Sequence, residues 1–464
     1  MSSTIEQFDL VVIGAGPAGM AAAIEGAAHG ATVALIDEQT SPGGQIYRNV
    51  TNAPTGRKAV LGKDYSAGAA LAQRLLDSAV QHRFGATVWH VGTGGEVTYS
   101  AHGEATRITG RQVILATGAI ERAMPIPGWT LPGVMTAGAA QIMLKANGLI
   151  ARDAVLIGSG PLLYLLAVQM CQAGSPPKAL IETQSFADLR AASTHAMGML
   201  RGWRQIAKGL GLLARLRRYG VQRFTGARGI SVLGDSAAEA VEFTTQGKPR
   251  RIEAQHVFLH QGVIPNTQIS RALRLDHHFN AAQRCFCPTV DAHGQSSNPR
   301  FGIAGDGAAI EGAVAAQISG RIAALNGLSK IGLIDPQTRD ANTAPLLRER
   351  ARETAARAFL DRAYAPPADL FAPDDATLIC RCEEITAGEI RAFARLGCTG
   401  PNQLKAFGRV GMGPCQGRSC GHMAAEILAR EHQQNMDQTG YFNIRAPLKP
   451  VTLGELAALD ATTD

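Results

Sequence analysis

The sequence predicts an α/β protein with two doubly wound nucleotide-type units, one inserted in the other, followed by a small Cys-rich helical unit. Two observations predict it. A strand, Gly-rich turn, helix and strand open the chain in FDLVVIGAGPAGMAAAIEGAAHGATVALIDE, and AVLIGSGPLLYLLAVQMCQAGSPPKALIET repeats that grammar from Ala154. Four of the eight cysteines fall in one short C-terminal segment.

In the first pattern, Asp9 to Ile13 read as a buried parallel strand and Thr32 to Ile36 as the second. A strand-like ITGRQVILATG ends at Gly118, before the second pattern. A basic helical region, about 186–219, follows it. VFLH (257–260) and FGIAGD (301–306) then read as strands, and EGAVAAQISGRIAALNG as a helix ending at Gly327. This order assigns 1–150 and 258–330 to the first unit and 151–257 to the inserted one. Residues 331–375 read as a connector with a helix from Pro345 to Leu360. The Cys-rich unit covers 376–430, and 431–464 form an apolar tail expected to pack back on the body.

With 464 residues, two or three domains are expected. The net charge of +7 is spread without aromatic interleaving, which argues against nucleic acid. No leader pattern is visible, and Gly-Ser-Gly-Pro interrupts the most apolar stretch, 154–174, so no transmembrane segment is expected. The expected location is cytoplasmic, with a peripheral position at the inner face of the membrane as the variant.

GAGPAG supplies Gly14, Gly16 and Gly19, with Pro17 and Ala18 opening the helix. The first Gly permits the turn, the second admits a pyrophosphate and the third allows close helix–strand packing. Asp37 ends the second strand 23 residues after Gly14, with Glu38 beside it. A carboxylate there accepts ribose hydroxyls and repels a 2′-phosphate, which favours FAD or NAD over NADP. At the second turn Gly158, Gly160 and Glu182 repeat the pattern, but Leu163 replaces the third small residue. A retained fold with a degenerate site is the stronger reading, and NAD(P)H binding the weaker. The basic region with Arg201, Arg204, Lys208, Arg215, Arg217 and Arg218 reads as a solvated face, with a docking surface or a phosphate-neutralising cluster as alternatives.

The C-terminal motif LICRCEEIT…GMGPCQGRSCGHM reads C-x-C, 32 residues, then C-x4-C, formed by Cys380, Cys382, Cys415 and Cys420. Four thiolates complete a [2Fe–2S] cluster, two per iron. Zinc is the rival, although its knuckles usually space ligands as C-x2-C. Thr386 with Glu389 forms a capping-box pattern, and Gly411, Gly413, Gly417 and Gly421 open the turns around the second pair. A helix starting near His422 would turn its positive end toward the cluster. Cys171, Cys285, Cys287 and Cys398 read as buried or free thiols. No C-x-x-C or C-x4-C accompanies either Gly-rich turn, so no redox-active disulfide is expected there.

LATGAIERAMPIPG (115–128) resembles the ATG segment of two-dinucleotide-domain flavoproteins, with Ala116, Thr117 and Gly118. FGIAGDGA (301–308) resembles their second flavin fingerprint, in which Asp306 would contact the ribityl chain. PGGQIYR (42–48), with Gly44 and Gln45, resembles a stretch lying near the flavin. With PGVMTAGAAQIMLK, GSGPLLYLLAVQ, GVIPNTQ and the terminal IRAPLKPVTLGELA, these segments make nearly the whole chain similar to one family. It is the FAD- and [2Fe–2S]-containing α or A subunit of bacterial heteromeric amine and imino-acid dehydrogenases. That family includes subunits of D-hydroxyproline dehydrogenase, opine oxidase, hydrogen cyanide synthase and sarcosine oxidase. The Cys unit resembles bacterioferritin-associated ferredoxin.

The resemblance implies an electron-transfer subunit with no catalytic base of its own. A partner β subunit of the D-amino-acid-oxidase type would oxidise a C–N bond, with a small third subunit in some complexes. FAD, NAD or an adenine nucleotide would fill the first site, and FMN lies between subunits in several relatives. Electrons would leave through the cluster to a carrier such as a quinone. A self-sufficient NAD(P)H-dependent oxidoreductase is the alternative, and Leu163 disfavours it.

Overall fold

The computed structural model describes residues 5–460. The last four residues of the expected tail, 461–464, and residues 1–4 of the first unit lie outside the described residues. β1 (Glu6–Ile13) leads through the Gly-rich turn into α1 (Pro17–Ala28) and β2 (Val33–Asp37). Three short helices (Thr55–Leu61, Lys63–Ser66, Gly68–Leu76) precede β3 (Gln81–Phe84), β4 (Thr87–Val91), β5 (Glu96–Ala101) and the long β6 (Glu104–Leu115). The sheet order is β3-β2-β1-β6-β5-β4. β6 changes partners along its length: Glu104 to Thr109 form a hairpin with β5, and Ile108 to Leu115 run parallel to β1.

Alternation along β1 sends Leu10 and Val12 to one core and Val11 and Ile13 to the other. Both faces are covered, so all four are buried, which explains the unbroken apolar run in the sequence.

A short antiparallel pair hinges the two units: β7 (Ala119–Glu121) bonds to a strand that returns much later in the chain. β8 (Val134–Thr136) and α2 (Ala137–Asn147) follow. Then come β9 (Val155–Ser159), α3 (Pro161–Gln172) and β10 (Ala179–Glu182). The basic region is three helices, α4 (Phe186–Ala192), α5 (Ala196–Arg201) and α6 (Trp203–Arg218), ending at β11 (Gln222–Phe224). β12 (Arg228–Leu233), β13 (Ala240–Thr245) and β14 (Lys248–Glu253) form an antiparallel flap before β15 (Val257–Gln261). The second sheet has the order β11-β10-β9-β15-β8.

Both β8 and β15 therefore belong to the second sheet, so the boundaries expected at 151 and 257 cut through it. Met124, Ile126 and Trp129 already pack in its core. A three-residue strand carries too little periodicity to be read, and its neighbours lie in the segment taken for the first unit.

β16 (Val263–Pro265) closes the hinge on β7. β17 (His277–Asn280) and β18 (Cys285–Pro288) form a hairpin, and β19 (Phe301–Ile303) joins the first sheet beside the end of β6. α7 (Ala313–Lys330) then lies on α1. A Cβ on Gly320 would fall 2.0 Å from the Ala18 carbonyl oxygen, so only glycine permits that approach.

The connector helix differs from the expected span of 345–360. α8 (Pro336–Glu353) starts nine residues earlier, where Asp335 accepts the Thr338 N–H at 2.9 Å and Pro336 occupies the first turn. Pro345 lies inside it, and α9 (Arg357–Ala363) is separate. The Cys unit comprises β20 (Leu378–Cys380), β21 (Ile385–Thr386), α10 (Ala387–Arg395), α11 (Pro401–Gly408) and α12 (Gly421–Glu431). It shares one apolar core with the first sheet.

Candidate functional site

The first turn is shaped by contacts that a Cβ would destroy. Gly14 sits at φ +105, and its Cβ would lie 2.4 Å from the Ala116 carbonyl oxygen. A Cβ on Gly19 would lie 1.7 Å from the Gly14 carbonyl. Gly16 is different: the nearest atom to its Cβ would be Cα of Gly44, 3.9 Å away. Gly16 caps α1 without a side-chain bond, and no acidic residue occupies the first turn. The helix therefore presents free N–H groups at its positive end, a donor set that fits a pyrophosphate.

The other first-site residues converge on this edge of the sheet. The Gly43 N–H donates to the Ala15 carbonyl at 2.9 Å, and Gly44 lies across the Gly16 backbone. Ala116, Thr117 and Gly118 leave β6 there; Thr117 Oγ1 and the Gly118 carbonyl both bond the Asn266 backbone. Gly307 lies against Thr117, next to Asp306. Gln45 is exposed and contributes its carbonyl to Lys145.

The two expected carboxylates also brace the backbone. Asp37 accepts the Ala15 N–H at 2.5 Å and the Gln39 N–H at 2.7 Å. Burial raises its pKa, and those two bonds oppose the shift. Asp306 accepts the Glu311 and Gly312 N–H groups through Oδ1, and burial raises it too. Among the described residues, its Oδ2 accepts no hydrogen bond. Glu38 faces outward, 2.7 Å from Nζ of Lys449.

Two cations beside this site were not singled out from the sequence, although both lie in segments quoted above. Arg48 ends PGGQIYR; among the described residues its buried Nε has no hydrogen-bond partner, and its charge acts on Asp37 and Glu38. An unpartnered buried guanidinium N–H beside a Gly-lined cradle fits an anionic ligand. Lys145 ends PGVMTAGAAQIMLK. It donates to Gln45 O at 3.1 Å and to Gln141 Oε1 at 2.8 Å, and burial lowers it to about 7.

The second turn keeps its backbone but spends its side chains internally. Gly158 sits at φ +137, with the His260 carbonyl 1.6 Å from where a Cβ would be. Leu163 is fully buried under α3. Glu182 is fully buried and accepts from Gln184 at 2.8 Å and Arg223 at 2.9 Å. Tyr364, just past α9, brings its carbonyl to Ser159 Oγ and its ring edge to Tyr164. Connector residues thus lie against the turn beside Gly160.

The four C-terminal cysteines meet at one place. The Cys420 thiol acts on both Cys380 and Cys415, and Cys415 on Cys382, so the four sulfurs are close neighbours. The neighbouring Cys420 thiol lowers Cys380 to about 6 and Cys415 to about 5. N–H groups of Gly411, Glu383 and Cys382 at Cys380, and of Ser419 and Gly417 at Cys415, add to this. Cys420 moves up as the shared donor, and burial raises Cys382. Cys380 and Cys420 are buried, whereas Cys382 is exposed.

Among the described residues, no group of three or more His, Cys, Asp or Glu is arranged around one ion. Four thiols gathered in one place supply the donor number a [2Fe–2S] cluster would need. Cys420 caps α12, and Thr386 with Glu389 forms a full capping box. The glycines do more than open turns. Cβ atoms on Gly411 and Gly417 would lie 2.7 Å from the Phe442 ring, one on Gly413 2.2 Å from Cys382 Cβ, and one on Gly421 2.3 Å from the Tyr441 hydroxyl. Cys171, Cys285, Cys287 and Cys398 are buried thiols, and Cys398 shares an apolar core with Cys380 and Cys420.

A buried network ties α12 to the hinge. Arg122, after β7, donates to the carbonyls of Gln261, Gln283 and Arg284 and to Nε2 of His422 at 3.0 Å. Arg284 pairs with Glu426 at 2.8 and 2.9 Å.

Residues 8–320 match the pyridine nucleotide-disulphide oxidoreductase family, and residues 375–460 match the sarcosine oxidase A3 domain. The opine oxidase A chain of Agrobacterium tumefaciens is 45% identical over 98% of this chain and 92% of its own. The HcnB component of hydrogen cyanide synthase from Pseudomonas protegens is 32% identical over 95% of this chain and 96% of its own. The L-proline dehydrogenase structure from P. horikoshii has the same fold, with a TM-score of 0.68, 19% identity and coverage of 98% of this chain and 80% of that one. The chain belongs to the pyridine nucleotide-disulphide oxidoreductase family, in the group that contains the opine oxidase A subunits.

Proposed function

We propose that this chain is the electron-transfer subunit of a heteromeric oxidoreductase that oxidises a C–N bond of an amine, imino acid or opine. In this reading the first turn holds FAD, with NAD or another adenine nucleotide as the variant. Cys380, Cys382, Cys415 and Cys420 hold a [2Fe–2S] cluster. FAD supplies the exchange between two-electron and one-electron chemistry, and the cluster the one-electron step.

The observation that carries the proposal is the shared core. Cys380 and Cys420 pack in the same apolar cluster as Val11, Ile13 and Leu115, the strand ends that lead into the nucleotide turn. Glycines and first-turn N–H groups would receive the pyrophosphate, and Arg48 would offset its charge. Apolar packing keeps water from the Cys380 side, while exposed Cys382 marks the exit edge toward an acceptor such as a quinone. Substrate chemistry is assigned to a partner flavoprotein of the D-amino-acid-oxidase type. An interface FMN and a third, small subunit complete the assembly in this reading. Glu182, Leu163 and Tyr364 support a second turn that takes no NAD(P)H.

The test is turnover. The purified chain, supplied with amines, opines or imino acids and an artificial acceptor, is expected to be inactive until the partner is added. Turnover by the chain alone overturns the reading.

A further inference from the structure

The positive charge is not spread evenly, contrary to the expectation above: of the net +7, six charges lie between Phe186 and Tyr219, where seven Lys and Arg face one Asp. That Asp, Asp188, is engaged by Arg362, and Lys208 pairs with Asp64. Among the described residues, Arg201, Arg204, Arg215, Arg217 and Arg218 make no ion pair. The same helices expose large apolar side chains. Phe186, Met197, Leu200, Trp203 and Leu210 are 61–81% exposed.

α6 explains how both properties coexist. Its inner face buries Leu212 and Leu216 against α3. Trp203, Ala207, Leu210 and Ala214 recur at helical spacing on the opposite face and are all exposed. By helical geometry Arg217 flanks this stripe on one side and Arg218 and Arg204 on the other. Among the described residues the helix thus has a second apolar face that no other element covers, bordered by guanidinium groups without an ion pair; that of Arg204 lies 5.9 Å from the centre of the Trp203 ring.

We infer that α5 and α6 dock the protein on an anionic lipid surface. The charge favours lipid over a protein partner. Among the described residues, Arg204, Arg217 and Arg218 carry no compensating acid beside Trp203 and Leu210, and a net positive helix with Trp and Leu on its free face is the composition of an interfacial helix on anionic headgroups. Long Arg side chains reach headgroup phosphates while Trp203 and Leu210 enter the acyl boundary. No helix among the described residues is long and apolar enough to cross a membrane, so the contact is peripheral. This inference goes beyond the electron-transfer reading and does not depend on it.

Trp203 supplies a direct probe, because Trp89 and Trp129 are buried. The full chain is mixed with vesicles of phosphatidylcholine alone and with about one-third phosphatidylglycerol, and sedimented. Binding is expected only to the anionic vesicles, with quenching of tryptophan emission by brominated acyl chains. Arg217→Glu with Arg218→Glu is expected to weaken binding by about tenfold or more. Trp203→Ser with Leu210→Ser should abolish the quenching. All four positions are exposed, so an unchanged unfolding curve verifies the fold. Equal binding to neutral vesicles, or variants that bind like the parent, overturns the inference. So does a self-associated parent chain that the same substitutions convert to monomer, which would make the stripe a contact between copies.

Discussion

Oε2 of Glu38 lies 2.7 Å from Nζ of Lys449, pairing the edge of the N-terminal nucleotide turn with a residue 411 positions later. The two side chains are 46% and 37% exposed, so the pair itself contributes below about 1 kcal/mol. Leu448 beside it is buried, and its N–H donates to the Trp89 carbonyl at 2.8 Å. Urea unfolding should therefore separate two variants. Lys449→Ala should change stability by less than about 1 kcal/mol, and Leu448→Ala should lower it by about 2–5 kcal/mol. Equal effects would mean that charge, not packing, holds the tail.

Gly19 and Gly16 of the first turn should fail in different ways. Gly19→Ala places a methyl 1.7 Å from a carbonyl oxygen and should impair folding. Gly16→Ala meets nothing closer than 3.9 Å and should leave the unfolding midpoint nearly unchanged. Its methyl fills the space a pyrophosphate needs, so flavin content after purification should fall to near zero. A Gly16→Ala chain that is yellow as isolated would refute the assignment of this turn.

Much of this was legible because local patterns and backbone demands coincide. The turn glycines, the Thr386–Glu389 box and Cys420 ahead of a helix all sit where the residues indicated. The hidden parts depend on contacts distant in sequence. β8 is only three residues long, and only its pairing with β15 gives it meaning. The positions of Asp37 and Asp306 predict ligand acceptors, yet their backbone bonds depend on how Ala15 and Glu311 fold toward them. Phe442 against Gly411 and Gly417 joins residues whose spacing signals nothing.

Replacement of any one of Cys380, Cys382, Cys415 or Cys420 by Ala should remove cluster absorbance and about all of the bound iron while the flavin remains. Cys171→Ala, Cys285→Ala, Cys287→Ala and Cys398→Ala should keep the iron. Iron analysis with visible spectra distinguishes the sets. Iron lost from the Cys285 variant, or flavin lost together with the cluster from Cys380→Ala, would show a different ligand set or a structural role for the unit.

NADH and NADPH should leave the bound flavin oxidised over minutes under anaerobic conditions, while dithionite bleaches it. The reason lies at the second turn, where Glu182 is engaged by Arg223 and Gln184, and Tyr364 lies against Ser159. Rapid bleaching by NADH would revive a self-sufficient reductase.

Lys145 makes stability depend on pH in a defined direction. It is buried, the nearest charge acting on it is the cation Arg48, and its pKa falls from 10.5 to about 7. Between these values the unfolded chain binds a proton that the folded chain does not, so stability rises with pH across that window. Below about 7 both states bind it and the burial penalty is felt in full. Lys145→Met removes this dependence and also leaves Gln45 O and Gln141 Oε1 without their donor, a cost that does not vary with pH. The stability difference, variant minus parent, should shift in the variant's favour as pH falls from about 10 to 7, by up to about 1.4 kcal/mol per pH unit. Urea unfolding of the flavin-free chains at both ends of that range measures it. A difference that stays constant would place the proton on Lys145 throughout and show that Gln45 and Gln141 accept from a charged ammonium.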